Sequence, residues 1–181
     1  MTLNCNGKIL DLKVPKVMGI LNLTPDSFYD GGKYQSLKSA TERCSEMLKQ
    51  GADIIDIGAA SSRPGAKIIS VNEEYERLIP ILKVLLKEFD SAIFSVDTFR
   101  AEIAKASLDL GAAIINDITA GKFDDKMLPL ISKYNSVYIV MHMKGLPNYM
   151  QDNPEYNDIT AEILNFFNEK IKILNENNIN K

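Results

Sequence analysis

Five short apolar runs, each closed by polar or sulfur-bearing side chains and separated by stretches of helical periodicity, set the rhythm of this chain. They cover residues 17–21 (closed by Asn22), 53–58, 92–98, 112–117 and 137–143. Runs of this length, rich in Ile and Val, predict buried strands. Between the first two, Leu37, Ala40, Cys44, Met47 and Leu48 recur at helical spacing, with Ser36 as predicted N-cap and Gly51 at the end. Leu78, Ile81, Leu82, Leu85 and Phe89 form the apolar face of a second helix, which Ser70 or Asn72 would cap. Glu73 and Glu74 fall in its first turn, where the helix dipole favours negative charge, and Pro80 predicts a kink. Shorter helices are predicted over residues 100–110, stopped by Gly111, and over residues 125–134. A last helix over residues 157–175 carries Ile159, Ile163, Phe166, Phe167, Ile171 and Leu174 on one side. Ahead of all this, residues 3–12 read as two short strands about Asn6-Gly7, a hairpin expected to close the bottom of the fold.

Five successive βα units argue for a parallel sheet. Polar residues at the end of every strand are what line the catalytic mouth of a (β/α)₈ barrel, whereas a doubly wound sheet more often shows a glycine-rich phosphate turn after its first strand. No such glycine spacing is present. The predicted fold class is therefore α/β, of the (β/α)₈ TIM-barrel type, incomplete at about five βα units and with an N-terminal β-hairpin. Two connections are unusually long. One runs from Asn22 to near Ser36 through Thr-Pro-Asp-Ser-Phe and a Gly-Gly pair, and the other spans residues 59–67. Ordinary βα connections take about 2–6 residues, so both read as polar active-site loops.

Composition narrows the function further. The chain of 181 residues is 45% hydrophobic and 25% charged, enough for one globular domain with a real core. A formal net charge of -3 gives no global positive field for nucleic acid or an anionic membrane surface, so an anionic substrate has to be held by local groups. Cys5 and Cys44 stand apart from any Cys-x-x-Cys spacing, which argues against a disulfide scaffold or zinc site and for a reducing, cytoplasmic setting. No apolar run approaches the ~20 residues of a membrane span, and residues 1–12 lack the pattern of a signal peptide.

Residues 18–32 (Met-Gly-Ile-Leu-Asn-Leu-Thr-Pro-Asp-Ser-Phe-Tyr-Asp-Gly-Gly), residues 56–65, Ser95-Val-Asp97-Thr98, Ile115-Asn-Asp-Ile118 and Met141-His-Met-Lys-Gly145 with residues 147–151 follow one another along most of the chain. Together they resemble the signatures of dihydropteroate synthases in the pterin-binding family. The resemblance implies a transferase of folate biosynthesis. It would condense 6-hydroxymethyl-7,8-dihydropterin pyrophosphate with 4-aminobenzoate, give 7,8-dihydropteroate and pyrophosphate, and be a sulfonamide target. It also implies that Asp97 and Asn116 hydrogen-bond the pterin, with Ile118 and Met141 or Met143 against its face, and that Asn22 binds a magnesium ion (Mg2+). Catalytic roles fall by the same resemblance on Asp26, Phe28, Ser62, Arg63 and Pro64, in two loops that close over the site and shape the aminobenzoate pocket. Three residues depart from the family pattern: Ala59-Ala60 stands where most members carry Gly-Glu, and Ser62 where threonine is common.

The chemistry asks for such residue types. A pterin edge offers an amino group and ring N–H donors, which a carboxylate and an amide read by paired hydrogen bonds. Departure of pyrophosphate develops negative charge that a cation and an arginine stabilise, and loops that exclude water protect the electrophilic methylene left behind. A complete barrel of this type needs about 250 residues. The expectation is one pterin-binding barrel domain over residues 1–181 that lacks barrel strands six to eight, with little turnover by itself and a homodimer in the full-length enzyme. Two further readings are a methyltetrahydrofolate-binding domain of a corrinoid methyltransferase, against which Thr24-Pro-Asp-Ser-Phe28 argues, and a non-catalytic pterin-binding module.

Overall fold

The computed structural model of the chain describes residues 1–23, 33–60, 68–145, 149–150 and 153–179. Asn6 and Gly7 both take left-handed backbone, with φ 53° and 85°, as a two-residue hairpin turn of type I′ requires. Across them β1 (Thr2–Cys5) and β2 (Lys8–Asp11) pair antiparallel. The predicted hairpin is present.

Five parallel strands follow in simple sequential order: β3 (Met18–Asn22), β4 (Ile54–Gly58), β5 (Ile93–Asp97), β6 (Ile114–Asp117) and β7 (Val137–Val140). Helices α1 (Lys33–Lys49), α2 (Val71–Glu88), α3 (Ala101–Leu110) and α4 (Met127–Tyr134) connect them, and α5 (Ile159–Glu176) follows β7. The period-two alternation of a strand sorts the side chains into two cores. Leu21, Ile55, Ile57, Phe94, Val96 and Ile115 pack with Leu78, Leu82 and Leu85 of α2 and Ile103 of α3. Ile54, Ile93 and Ile114 face the other way and meet Cys5 and Leu10 of the hairpin. Lys8 donates from Nζ to the Ala92 carbonyl at 2.6 Å and Asn6 from Nδ2 to the Gly111 carbonyl at 3.3 Å, at the N-terminal ends of β5 and β6. The hairpin thus plugs the sheet at the end opposite the strand-end polar residues, and the arrangement is the βα layering of the incomplete barrel.

Several local expectations change. Helix α1 starts at Lys33, a turn early, so Ser36 lies inside its first turn and is not its N-cap. Of the two predicted caps for helix α2, which runs from Val71 to Glu88 with Pro80 inside it, the structure takes Ser70, whose hydroxyl accepts from the Glu73 N–H at 3.2 Å. Strand β7 ends at Val140, short of Met143. Val140 pairs with Asp117, the last residue of β6, and beyond that residue β6 turns into a tight loop that offers no further ladder. Asp53 lies outside β4: its carboxylate accepts from the Val17 N–H at 2.9 Å and from Lys16 Nζ at 3.1 Å, which fastens the start of β4 to the residue preceding β3. The apolar stripe of α5 is at most half-buried, with Ile159 53% exposed, and the one buried side chain of that helix is Lys170. Both cysteines are buried free thiols, and burial, helped by Glu88, pushes Cys44 up to about 11, so neither is reactive. No helix among the described residues is long and apolar enough to cross a membrane.

Burial separates what stabilises from what does not. Leu82 is fully enclosed while Leu164 on α5 is 57% exposed. Leu82→Ala is expected to lower unfolding free energy by about 2–5 kcal/mol, whereas Leu164→Ala stays within ~0.5 kcal/mol. Urea denaturation of the two variants checks this.

Candidate active site

Parallel register places the strand-end residues in layers. Asn22 pairs with Gly58, Gly58 with Asp97, Asp97 with Asn116 and Asn116 with Ile139, forming one row across the C-terminal edge of the sheet. Directly beneath lies a second row, Ile20, Asp56, Ser95, Ile114 and Val137. Residues opposite one another in a parallel pair share a face, and residues two apart along a strand do too. Three of the predicted residues, Asn22, Asp97 and Asn116, are therefore set on one face, with Asp56 and Ser95 below them.

Glycine at 58 makes room for the first acid. A β-carbon there would stand 3.2 Å from Cβ of Asp97, closer than most such contacts, and 3.4 Å from its Oδ2, so with glycine at 58 the Asp97 side chain lies against β4 without having to give way. Asp97 meets a hostile electrostatic setting. Burial, followed by the charges of Asp56, Glu74 and Asp117, pushes its carboxyl up to about 7.

Asp56 settles the neighbouring amide. Its Oδ2 accepts from Asn116 Nδ2 at 3.0 Å, which commits the amide nitrogen of Asn116 to the layer below and leaves its oxygen as an acceptor. Burial raises the Asp56 carboxyl as well, while Ser95 and Asn116 favour its charged form. Ser95 stands close enough to help the charge yet off hydrogen-bond geometry: the buried Asp56 Oδ1 and Ser95 Oγ both lack a partner. Orphaned polar atoms in a buried layer are uncommon and mark a place where a polar atom of another molecule is welcome.

A second set of groups supports Asp97 from behind. Glu74, 1% exposed on α2, accepts from the Thr98 hydroxyl at 2.7 Å and from the Arg100 guanidinium, and Arg100 also donates to the Ile69 carbonyl. This node ties the residues after β5 to the backbone that enters α2. Glu74 sits in the first turn, where the sequence placed a helix-dipole acid; its buried pairing with Arg100, 26 residues away, leaves no trace in local periodicity.

Ile118 follows in a short loop and is half-buried. Met141, His142 and Met143 lie just past β7, also half-buried. The His142 ring meets Phe166 edge-on at 5.0 Å and lies 5.9 Å from Tyr156, so its surroundings are those of a packed aromatic. Asp26, Phe28, Ser62, Arg63 and Pro64 lie outside the described residues. Among the described residues no group of three His, Cys, Asp or Glu side chains is arranged to hold a metal ion.

The profile of the family described as "Pterin binding enzyme" matches residues 18–181. The chain is 44% identical over 157 residues to the dihydropteroate synthase of Synechocystis, which covers 87% of this chain and 54% of that protein. Among solved structures, Yersinia pestis dihydropteroate synthase in a sulfonamide drug complex superposes with a TM-score of 0.90 at 40% identity, over 99% of this chain and 65% of that one. Dihydropteroate synthase from Xanthomonas albilineans in complex with 7,8-dihydropteroate gives 0.85 at 33% identity, over 99% and 62%. This chain thus spans less than two thirds of each of these relatives. With the profile matching nearly all of it and the same layered sheet in both structures, the chain belongs to the pterin binding enzyme family.

Proposed function

We propose that this chain carries the pterin-binding part of a dihydropteroate synthase. The protein would join 6-hydroxymethyl-7,8-dihydropterin pyrophosphate to 4-aminobenzoate with loss of pyrophosphate, as a cytoplasmic homodimer whose remaining barrel strands are not in this sequence. The observation that supports it most is the row Gly58, Asp97, Asn116, in which a carboxylate and an amide oxygen stand side by side as acceptors above a buried acid. A pterin edge presents adjacent amino and ring N–H donors. Asp97 can take two of them, and the Asn116 oxygen, oriented by Asp56, takes another. The relatives point the same way, since one binds 7,8-dihydropteroate and another a sulfonamide drug.

Within this reading Ile118 and Met141 or Met143 contribute an apolar surface beside the ring, and the loops bearing Asp26, Phe28, Ser62, Arg63 and Pro64 enclose the aminobenzoate and keep water away from the reacting carbon. The donor set at the edge of the sheet also suits magnesium: the Asn22 amide oxygen is a hard ligand, and this ion takes few protein ligands beside water and phosphate oxygens. When bound, it would neutralise charge on the departing pyrophosphate.

Calorimetric titration with 6-hydroxymethylpterin tests the reading. Binding is expected for the wild-type chain and is expected to weaken at least ~tenfold in Asn116→Leu, which keeps the size and removes the acceptor. No binding, or binding indifferent to that change, overturns it.

The same titration as a function of pH reports on Asp97. Its carboxyl is raised to about 7, so its acceptor form is lost on acidification, and pterin affinity is expected to fall below pH 7 by up to about tenfold per unit. Stability of the unliganded chain runs the other way. Asp97 holds its proton in the fold above the ordinary value of 3.8, so its contribution is complete below that pH and is lost as pH rises through about 7. Asp97→Asn is expected to flatten both profiles. A third titration, with inorganic pyrophosphate, is expected to show tighter binding in millimolar magnesium than in chelator, with the difference reduced in Asn22→Ala.

A further inference from the structure

Behind the loop that leaves β6 lies a clamp that the pterin reading does not use. Asn116 and Asp117 are consecutive, so they point to opposite faces of the sheet: the first belongs to the binding row, the second is fully buried on the side of the helices. Asp117 is saturated with donors. Its Oδ1 accepts from the N–H of Thr119 and from the Thr119 hydroxyl, both at 2.7 Å; its Oδ2 accepts from the Gly121 N–H at 2.8 Å and from the Tyr138 hydroxyl on β7 at 2.7 Å. Burial and the charge of Asp117 push the Tyr138 hydroxyl up, which keeps it protonated as the donor.

The middle of this loop is held from a third direction. Ala120 takes left-handed backbone, φ 53°, a conformation in which its β-carbon is unwelcome. Its carbonyl accepts from Lys170 Nζ on α5 at 2.7 Å, across fifty residues of sequence. Lys170 is only 7% exposed, and among the described residues no carboxylate forms an ion pair with it. The Phe166 ring lies 6.0 Å from its ammonium and is shared with Lys122, whose Nζ is 5.0 Å from the same ring. Burial and Lys122 lower the Lys170 pKa, against the opposing pull of Asp117. A buried ammonium without a carboxylate partner costs stability, and an apolar side chain of equal length would fill the space without that cost. What it does provide is a directed bond to the one strained carbonyl of the loop.

We infer that Lys170 is a positioning residue for the pterin-binding loop. Together with Asp117 and Tyr138 it fixes residues 117–121, and through them Asn116 and Ile118, in the ligand-ready arrangement before the ligand arrives. The identity of the ligand rests on the function proposed above; the clamp does not. Its contribution to binding is preorganisation, because a loop already ordered loses less freedom when the ligand is taken up.

The test uses the whole chain with Lys170→Met, which keeps the stem and removes the donor, and Tyr138→Phe, which removes one of the four donors to Asp117. Exposed Lys172→Met serves as control. Amide hydrogen exchange of Thr119 and Gly121 is expected to quicken by roughly tenfold in the first two variants, with β5 and α3 as protected as in wild type, and pterin affinity is expected to weaken by a similar factor. The control should change neither. Unchanged loop exchange in both variants, or faster exchange spread equally through β5 and α3, overturns the clamp. Faster loop exchange with unchanged pterin affinity overturns its positioning role. If the wild-type chain binds no pterin, the proposed function fails separately, and the clamp is judged on loop exchange alone.

Discussion

Asp97 lies across the end of β4 without crowding because residue 58 has no side chain. That one steric allowance, 3.2 Å from a β-carbon that is not there, lets a carboxylate occupy the centre of the row between Asn22 and Asn116. It also brings Asp97 over Asp56. Burial raises the proton affinity of both acids, and the charge of Asp56 raises that of Asp97 further. The sheet therefore stores an electrostatic tension that a molecule rich in N–H donors would relieve. Everything around the pair limits its cost without removing it: Asn116 donates to Asp56, and Glu74, itself buried, is neutralised by Arg100 and Thr98.

The architecture shows a division of labour between the two faces of each strand. Even-numbered residues of β3 and β4, and the odd-numbered residues of β5, bring polar groups to one face, while their neighbours pack against α1, α2 and α3. At β6 this alternation separates the proposed recognition group from its support, because Asn116 stands in the strand-end row while Asp117 anchors the backbone behind it. A binding group held by a rigid strand and backed by a saturated buried carboxylate has little freedom to lose on ligand binding.

Most of this frame was legible in the sequence because it rests on short-range rules. The apolar runs marked all five strands, Asn6-Gly7 the hairpin, Gly111 the end of α3 and Ser70 the cap of α2. The strand-end polar residues followed from the same runs, since Asn22, Asp97 and Asn116 close them. What escaped depends on pairings across long stretches of chain. Nothing local distinguishes Glu74 from Glu73, yet one is buried against Arg100 and the other lies in a surface pair with Arg77. Lys170 falls by spacing inside the apolar stripe of α5, four and three residues after Phe166 and Phe167, but its charge argues against burial, and only its bond to Ala120 reveals what satisfies it there. Ser36 shows the converse, a good capping residue passed over because the helix begins a turn earlier, at Lys33.

The central claim is that the row Gly58, Asp97, Asn116 reads a pterin edge. A crystal structure of this chain soaked with 6-hydroxymethylpterin tests it most directly. The ring is expected in the plane above Asp56, its amino and ring N–H groups within hydrogen-bond distance of the Asp97 carboxylate and the Asn116 amide oxygen. A pterin bound elsewhere on the chain, with that row touching only solvent, would contradict it.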